Sequence, residues 1–318
     1  MTMFIRTLAS ITLTATLTLA PAAFASAAPA APSHVTIEVD GDRAFPESVT
    51  TDQQYVYTTS IADGTVYRGH LGSSTLEPFL PGGQNNRTQA AGIKATGSRL
   101  LVAGAFTGRF FVYTKDGRLV SSYAVPDTGE QTLVNDAAVT PGGDVYITDS
   151  FRAVVYRIPA AEVNAPAAGA HRTLRVAYRL PDYVAGQSNG NGITITPDGR
   201  SLIIGYYYSG ALYRLDLVTG KVRKIAAPAL PSADGIALRG DNLYIARAVN
   251  NEIDVVRLSG DATRAALIAT RTYPGADTTT GVALSGNRLL VTNSQMDTYL
   301  YGEPRTSPDF TVENLSLR

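Results

Sequence analysis

Six copies of one two-strand pattern, 43 to 56 residues apart, predict an all-β chain, since no 3.6-residue apolar period follows residue 27. The expected architecture is a six-bladed β-propeller with four-stranded blades in a single domain. The copies begin at Glu47 ("ESVTTDQQYVYTTS"), Ala91 ("AGIKATGSRLLVAG"), Asn135 ("NDAAVTPGGDVYITDS"), Asn191 ("NGITITPDGRSLIIGY"), Asp234 ("DGIALRGDNLYIARA") and Thr280 ("TGVALSGNRLLVTNS"). Each places a leading residue before a short apolar strand, a Gly/Asp/Asn turn and a second apolar strand, which is hairpin chemistry. A third strand with a central aromatic is expected after most of them, in "GTVYRG", "FFVYTKDG", "AVVYRIP", "GALYRLD", "EIDVVRLS" and "TYLYG".

The spacings between leading residues are 44, 44, 56, 43 and 46. They match a four-stranded blade, for which repeats run from about 40 to about 50 residues. The long interval contains "AAEVNAPAAGAHR", whose Ala/Pro-rich composition predicts a surface loop in blade three. The flanking segments "HVTIEVD" (34–40) and "FTVENLSLR" (310–318) are strand candidates for closing the ring, because closure removes exposed sheet edges.

Residues 1–27 carry Arg6, an apolar Thr-rich run and small residues in "AFA" and "ASA". This is the pattern of a secretory signal peptide, leaving 28–318 as the propeller of an exported, extracellular protein. The 318-residue chain has no cysteine, which excludes disulfides, thiolate metal sites and a cysteine nucleophile. Its 27 basic residues balance 27 acidic ones, so charge offers nothing to a nucleic acid or an anionic membrane. A small molecule is the expected partner, and no protein partner is evident.

The innermost strand of a propeller blade lines the central channel, so the leading residues converge on one mouth. Glu47, Asn135, Asn191 and Asp234 place an oxygen donor in four of the six slots, while Ala91 and Thr280 fill the others. Asp, Glu and Asn make up about one residue in eight of the chain. Two carboxylates and two amide oxygens are the donors a hard dication takes, with calcium the first choice and another divalent cation the alternative; zinc would ask for His and Cys. Asp149, Tyr207, Arg247 and Asn293 close the second strands near the same mouth and are candidates for a substrate pocket. Asp136, next to Asn135, could orient substrate or make an Asx turn.

The ordered set "PES", "VND", "NGNGI" and "ADGI" at the blade heads resembles the SMP-30/gluconolactonase-like six-bladed propellers. The resemblance runs through about residues 45 to 300. It implies a calcium-dependent lactonase, organophosphatase or paraoxonase type of hydrolase. It also implies that Glu47, Asn135, Asn191 and Asp234 hold the catalytic metal and that Asp234 acts as base or nucleophile. Two departures stand out: "PES" replaces the usual "PEG", and none of His34, His70 and His171 matches the late-blade histidine of the paraoxonases.

Other motifs have simpler readings. "GQSNG" (186–190) copies a Gly-x-Ser-x-Gly elbow, but a strand follows where that motif needs a helix. "RGD" (239–241) fills a hairpin-turn slot, and Asn86 and Asn314 head glycosylation sequons. The leading expectation is an exported metal-dependent hydrolase of a lactone, ester or phosphoester. The alternative is a non-catalytic binding propeller with a structural metal. A streptogramin-type lyase is a third class, usually seven-bladed and histidine-dependent.

Overall fold

A computed structural model describes Ser33 to Leu317 apart from Gln53; the expected signal segment, 1–27, lies outside the described residues. The described chain is all-β apart from a few short helical turns, and its strands form six four-stranded blades. The innermost strands are Pro46–Thr51, Ile93–Thr96, Val134–Val139, Gly190–Ile195, Ala233–Arg239 and Thr279–Ser285. Each pairs antiparallel with the next strand of its own blade and packs against the innermost strands of both neighbouring blades, from the first round to the sixth and back. Among the described residues no helix is long and apolar enough to cross a membrane.

The ring closes where the flanking segments meet. His34–Val39 pairs antiparallel with Phe310–Ser316, from His34 opposite Leu315 to Val39 opposite Phe310, and so becomes the outer strand of blade six. Its other edge runs parallel to the outer strand of blade one, with Val39 opposite Leu76. Ile37, Val39, Phe310 and Val312 are buried in the cluster beneath this seam. One strand from each end of the propeller therefore covers edges that would otherwise lie open.

Two segments differ from their expected forms. "AAEVNAPAAGAHR" is not wholly a loop. It makes a short helix, Ala160–Val163, then the strand Ala170–Thr173, which lies parallel to Leu119–Ala124 as a fifth strand on blade two. Buried Val163 pins the helix, the Val163 carbonyl accepts from Arg99 Nε at 2.9 Å, and Ser122 Oγ meets His171 Nδ1 at 2.6 Å. An open outer edge is a stronger partner for the returning chain than water is. "TYLYG" lies in the helix Met296–Tyr301 and its cap rather than in a third strand, a place taken by Phe310–Ser316. Asp297 Oδ1 accepts from Thr298 N at 2.8 Å, and the Tyr299 ring packs on Phe45 with centroids 5.4 Å apart.

Blades are joined backbone to backbone near the strand heads. The residue after the leading one is Gly92, Gly192, Gly235 or Gly281 in four blades. A Cβ at Gly192 would stand 2.2 Å from Asp234 O, and one at Gly92 would stand 2.3 Å from Asn135 O; only glycine allows that approach. Threonines opposite this point lock three further junctions. Thr59 Oγ1 donates to Ala91 O at 2.5 Å, Thr148 Oγ1 to Asn191 O at 2.7 Å, and Thr292 Oγ1 to Glu47 O at 3.3 Å. Thr148 Oγ1 also accepts from Asp136 N at 3.2 Å, so one hydroxyl serves two blades. Thr148→Val keeps the shape but leaves two buried backbone groups unmet. It is expected to cost about 1–3 kcal/mol in urea unfolding, with Thr148→Ser restoring most of the loss.

Candidate metal centre

In five blades the leading residue sits in a β-bulge. The register between first and second strands slips between Pro46 and Val49, Val134 and Ala137, Gly190 and Ile193, Ala233 and Ile236, and Thr279 and Val282. The two residues inside each slip include Glu47, Asn135, Asn191, Asp234 or Thr280. A bulge re-aims the side chain it carries. Here Glu47, Asn135, Asn191 and Asp234 come together on one cavity of about 500 Å³. Blade two lacks the slip, and its head supplies Ala91 to the same cavity.

The four side chains are buried. Asn135 Nδ2 donates to Ser150 Oγ at 3.1 Å, which fixes the amide and leaves Oδ1 without a donor among the described residues. Burial, with the Asp136 charge, pushes the Asp234 carboxyl up to about 8, against a hydrogen bond from Asn191 that favours its ionised form. Burial, then the charges of Asp234 and Asp136, hold Glu47 well above the usual carboxylate range, against a smaller opposing pull from Lys94. Two buried carboxylates both held up in this way lack a positive charge between them. The donor set, two carboxylates and two amides with no nitrogen ligand, suits a hard dication. Among the described residues no group of three or more His, Cys, Asp or Glu forms a metal-holding cluster, so any cation here depends on the amides.

The remaining candidates divide. Tyr207 lines the cavity, and its phenol is pushed up by burial, then by the Asp234 and Tyr301 charges. Asp149, Arg247 and Asn293 instead tie incoming loops. Asp149 accepts from Thr132 Oγ1 at 2.5 Å, Leu133 N at 3.0 Å and Tyr156 Oη at 2.9 Å. Arg247 Nε donates to Pro231 O at 2.6 Å and its Nη1 pairs with Asp254 at 2.5 Å. Asn293 bridges Asp277 N at 2.6 Å and Gly275 O at 2.7 Å. All three end a second strand, where the side chain meets the loop entering its own blade rather than the cavity. Asp136 also stays off the cavity lining: it accepts from Ala137 N at 2.8 Å and stands 3.5 Å from Lys94 Nζ.

Lys94 was not singled out from the sequence, although a signal exists. Three residues past the leading slot, the blades carry Thr50, Lys94, Ala138, Thr194, Ala237 and Ala283, which together line a narrower part of the channel of about 290 Å³. Lys94 is the one charge in that ring. In "GQSNG", Asn189 ties the loop through Val184 and Gln187, and the strand Gly190–Ile195 follows directly. His34, His70 and His171 do not line the cavity; His34 Nε2, for one, is 2.6 Å from Glu313 Oε2.

No family model matches the sequence, and no curated protein matches it. Solved structures do resemble it. The major allergen Mala s 1 of Malassezia sympodialis is 16% identical with a TM-score of 0.67, covering 90% of this chain and 97% of that one. A luciferin-regenerating enzyme is 15% identical with a TM-score of 0.63, covering 89% and 95%. Virginiamycin B lyase of Staphylococcus aureus is 15% identical with a TM-score of 0.59, covering 90% and 99%. These neighbours are β-propellers, and likeness at this level of identity shows the shared fold alone.

The electrostatics set a pH dependence. Without a cation, folded Asp234 keeps a proton up to about pH 8, whereas the unfolded chain releases it in the ordinary carboxylate range. The folded state thus binds more protons between these limits, and stability falls as pH rises through that window. In chelator the melting temperature is expected to drop between about pH 5 and pH 8, and both added calcium and Asp234→Asn should flatten the slope. A slope untouched by either would remove Asp234 as its source.

Proposed function

We propose that the chain is an exported hydrolase of a lactone, ester or phosphoester, dependent on a divalent cation held by Glu47, Asn135, Asn191 and Asp234. Calcium is the ion this donor set suits best. The observation that carries the reading is the convergence of four oxygen donors, from equivalent bulges of four blades, on one cavity. When bound, the cation would supply positive charge to polarise a carbonyl or phosphoryl oxygen.

The chain's own groups account for the rest. Asn135 is held by Ser150 with its carbonyl oxygen free, so it positions without titrating. Asp234, once its charge is compensated, becomes an ionised carboxylate able to take a proton from water or attack directly. Tyr207, kept protonated beside it, can donate a hydrogen bond at the cavity wall. Among the described residues no histidine reaches the cavity, so the proton falls to a carboxylate.

The test is hydrolysis of lactones, aryl esters and phosphotriesters with calcium and then with excess chelator. Activity that disappears with chelator and returns with calcium is expected. Asp234→Asn should lower turnover by about 10³-fold or more while the circular dichroism spectrum stays unchanged. A second reading, a binding propeller with a structural cation, draws on the two slots that offer no ligand: Ala91 has no donor, and Thr280 Oγ1 turns to Glu47 O at 2.6 Å. It predicts the opposite pattern: no turnover on any substrate, with chelator lowering only the melting temperature.

A further inference from the structure

The walls of the cavity are as regular as its floor. In each blade the second strand leads into a tight turn; two places past Ser60, Gly104, Asp149, Tyr206, Arg247 and Asn293, which end the second strands or, for Gly104, directly follow one, stand Ala62, Phe106, Phe151, Tyr208, Val249 and Gln295. Blades two to five thus put a large apolar or aromatic side chain at one equivalent point, and all four of these line the cavity. Ile61 and Met296, beside the two exceptions, complete the ring. The turns are held in register by left-handed residues that follow, Gly108, Ala153, Gly210 and Asn251, with φ of 66°, 47°, 67° and 57°.

Three members of this crown are far more exposed than their chemistry favours: Phe106 at 44%, Tyr208 at 54% and Val249 at 75%. Phe106 and Phe151 face each other across adjoining blades with ring centroids 5.7 Å apart. The apolar surface is gathered at one mouth and encircles the polar centre, the arrangement of a ligand site rather than of scattered surface residues. No Lys, Arg or His lines the cavity among the described residues, and its carboxylates, Glu47 and Asp234, lie at the floor. An anionic substrate would meet no cationic side chain at the walls; Gln187, Ser188, Ser232 and Asn250 also line the cavity, but a polyhydroxylated substrate would lose water to the crown, which returns few hydrogen bonds.

We infer that the mouth takes an uncharged substrate with a hydrocarbon or aryl arm, the arm lying against the crown and the polar reacting group reaching the floor. The inference rests on the proposed hydrolase reading for its reacting group, but the recognition it describes does not. It excludes phosphomonoesters, phosphodiesters and sugar-acid lactones from the broader class.

Two measurements separate the inference from that reading. The first is calorimetric binding, with calcium present, of non-hydrolysable γ-lactams: one with a heptyl arm, one bare, one polyhydroxylated, with octanoate as the anionic comparison. A buried methylene is worth about fourfold in affinity, so even partial burial should favour the heptyl lactam over the bare ring by about tenfold or more. Val249→Lys and Phe106→Ser, at exposed positions, are each expected to shrink that preference by about threefold or more while the melting temperature stays within about 2 °C. The second is kcat/KM across γ-lactones of increasing arm length. Turnover rising with arm length supports both ideas. Lactam preference without any turnover keeps the apolar site and overturns the hydrolase. Equal or tighter binding of octanoate or the polyhydroxylated lactam, or a preference indifferent to both substitutions, overturns the inference.

Discussion

The approach of one blade's backbone to the next, at the heads of the innermost strands, is the constraint on which the rest of the structure depends. Six strands can share so narrow a channel only if the peptide after each leading residue lies nearly against the neighbouring blade. Gly92, Gly192, Gly235 and Gly281 permit it by having no side chain. At the other two positions Ser48 N and Asp136 N donate to Thr59 and Thr148 of their own blades, at 3.2 Å each. In four blades the bulge that accommodates this contact also turns the leading side chain, Glu47, Asn135, Asn191 or Asp234, into the mouth. Packing and site therefore come from the same two residues per blade, which is why a donor at that slot needs no special loop to present it.

This economy has an electrostatic cost. Glu47 and Asp234 are buried in a cavity that no cationic side chain lines among the described residues, and Asp136 adds a third carboxylate behind them. The cost is met in two ways. Lys94 stands 3.5 Å from Asp136 in the channel, so that carboxylate has its own countercharge and stays off the cavity lining. Glu47 feels only a weaker pull from Lys94, so protons or an added cation must balance most of the charge of the other two. The separation divides the channel into a part neutralised by the protein itself and a mouth whose charge depends on what enters it.

Much of this was legible in the sequence because the propeller repeats. The hairpin pattern, the 43-to-46-residue period and the closing strands at 34–40 and 310–318 follow from alternation and turn chemistry, and the ring formed as expected. What was not legible depended on direction rather than pattern. Asp149, Arg247 and Asn293 occupy one repeat position, yet a strand-end side chain can turn to the mouth or back to its own loop, and hydrogen-bond geometry decides. Tyr207, one residue further along, falls on the other side of that divide. "TYLYG" alternates well enough for a strand, but Asp297 in the first turn, accepting from Thr298 N, and the Tyr299–Phe45 contact favour a helical turn. The segment 170–173 became a strand because a neighbouring blade offered an open edge, which no local reading of Ala and Pro could supply.

The same distinction applies to the crown. Phe106, Phe151, Tyr208 and Val249 differ in size and chemistry, so no motif joins them, and a strand-centred alignment stops short of the turn that holds them. Their equivalence emerges once the strand-end residues are superposed: the chain then reaches the same left-handed residue two places later in four consecutive blades. Turns of constant length carry the same vector into the mouth whatever residue they bear, so blade geometry fixes the crown's position and sequence fills it. Four oxygen donors at one repeat position and four apolar residues at another are thus two readings of one six-fold frame. The inner ring sets what the floor can hold, and the outer ring sets which part of a ligand can leave water beside it.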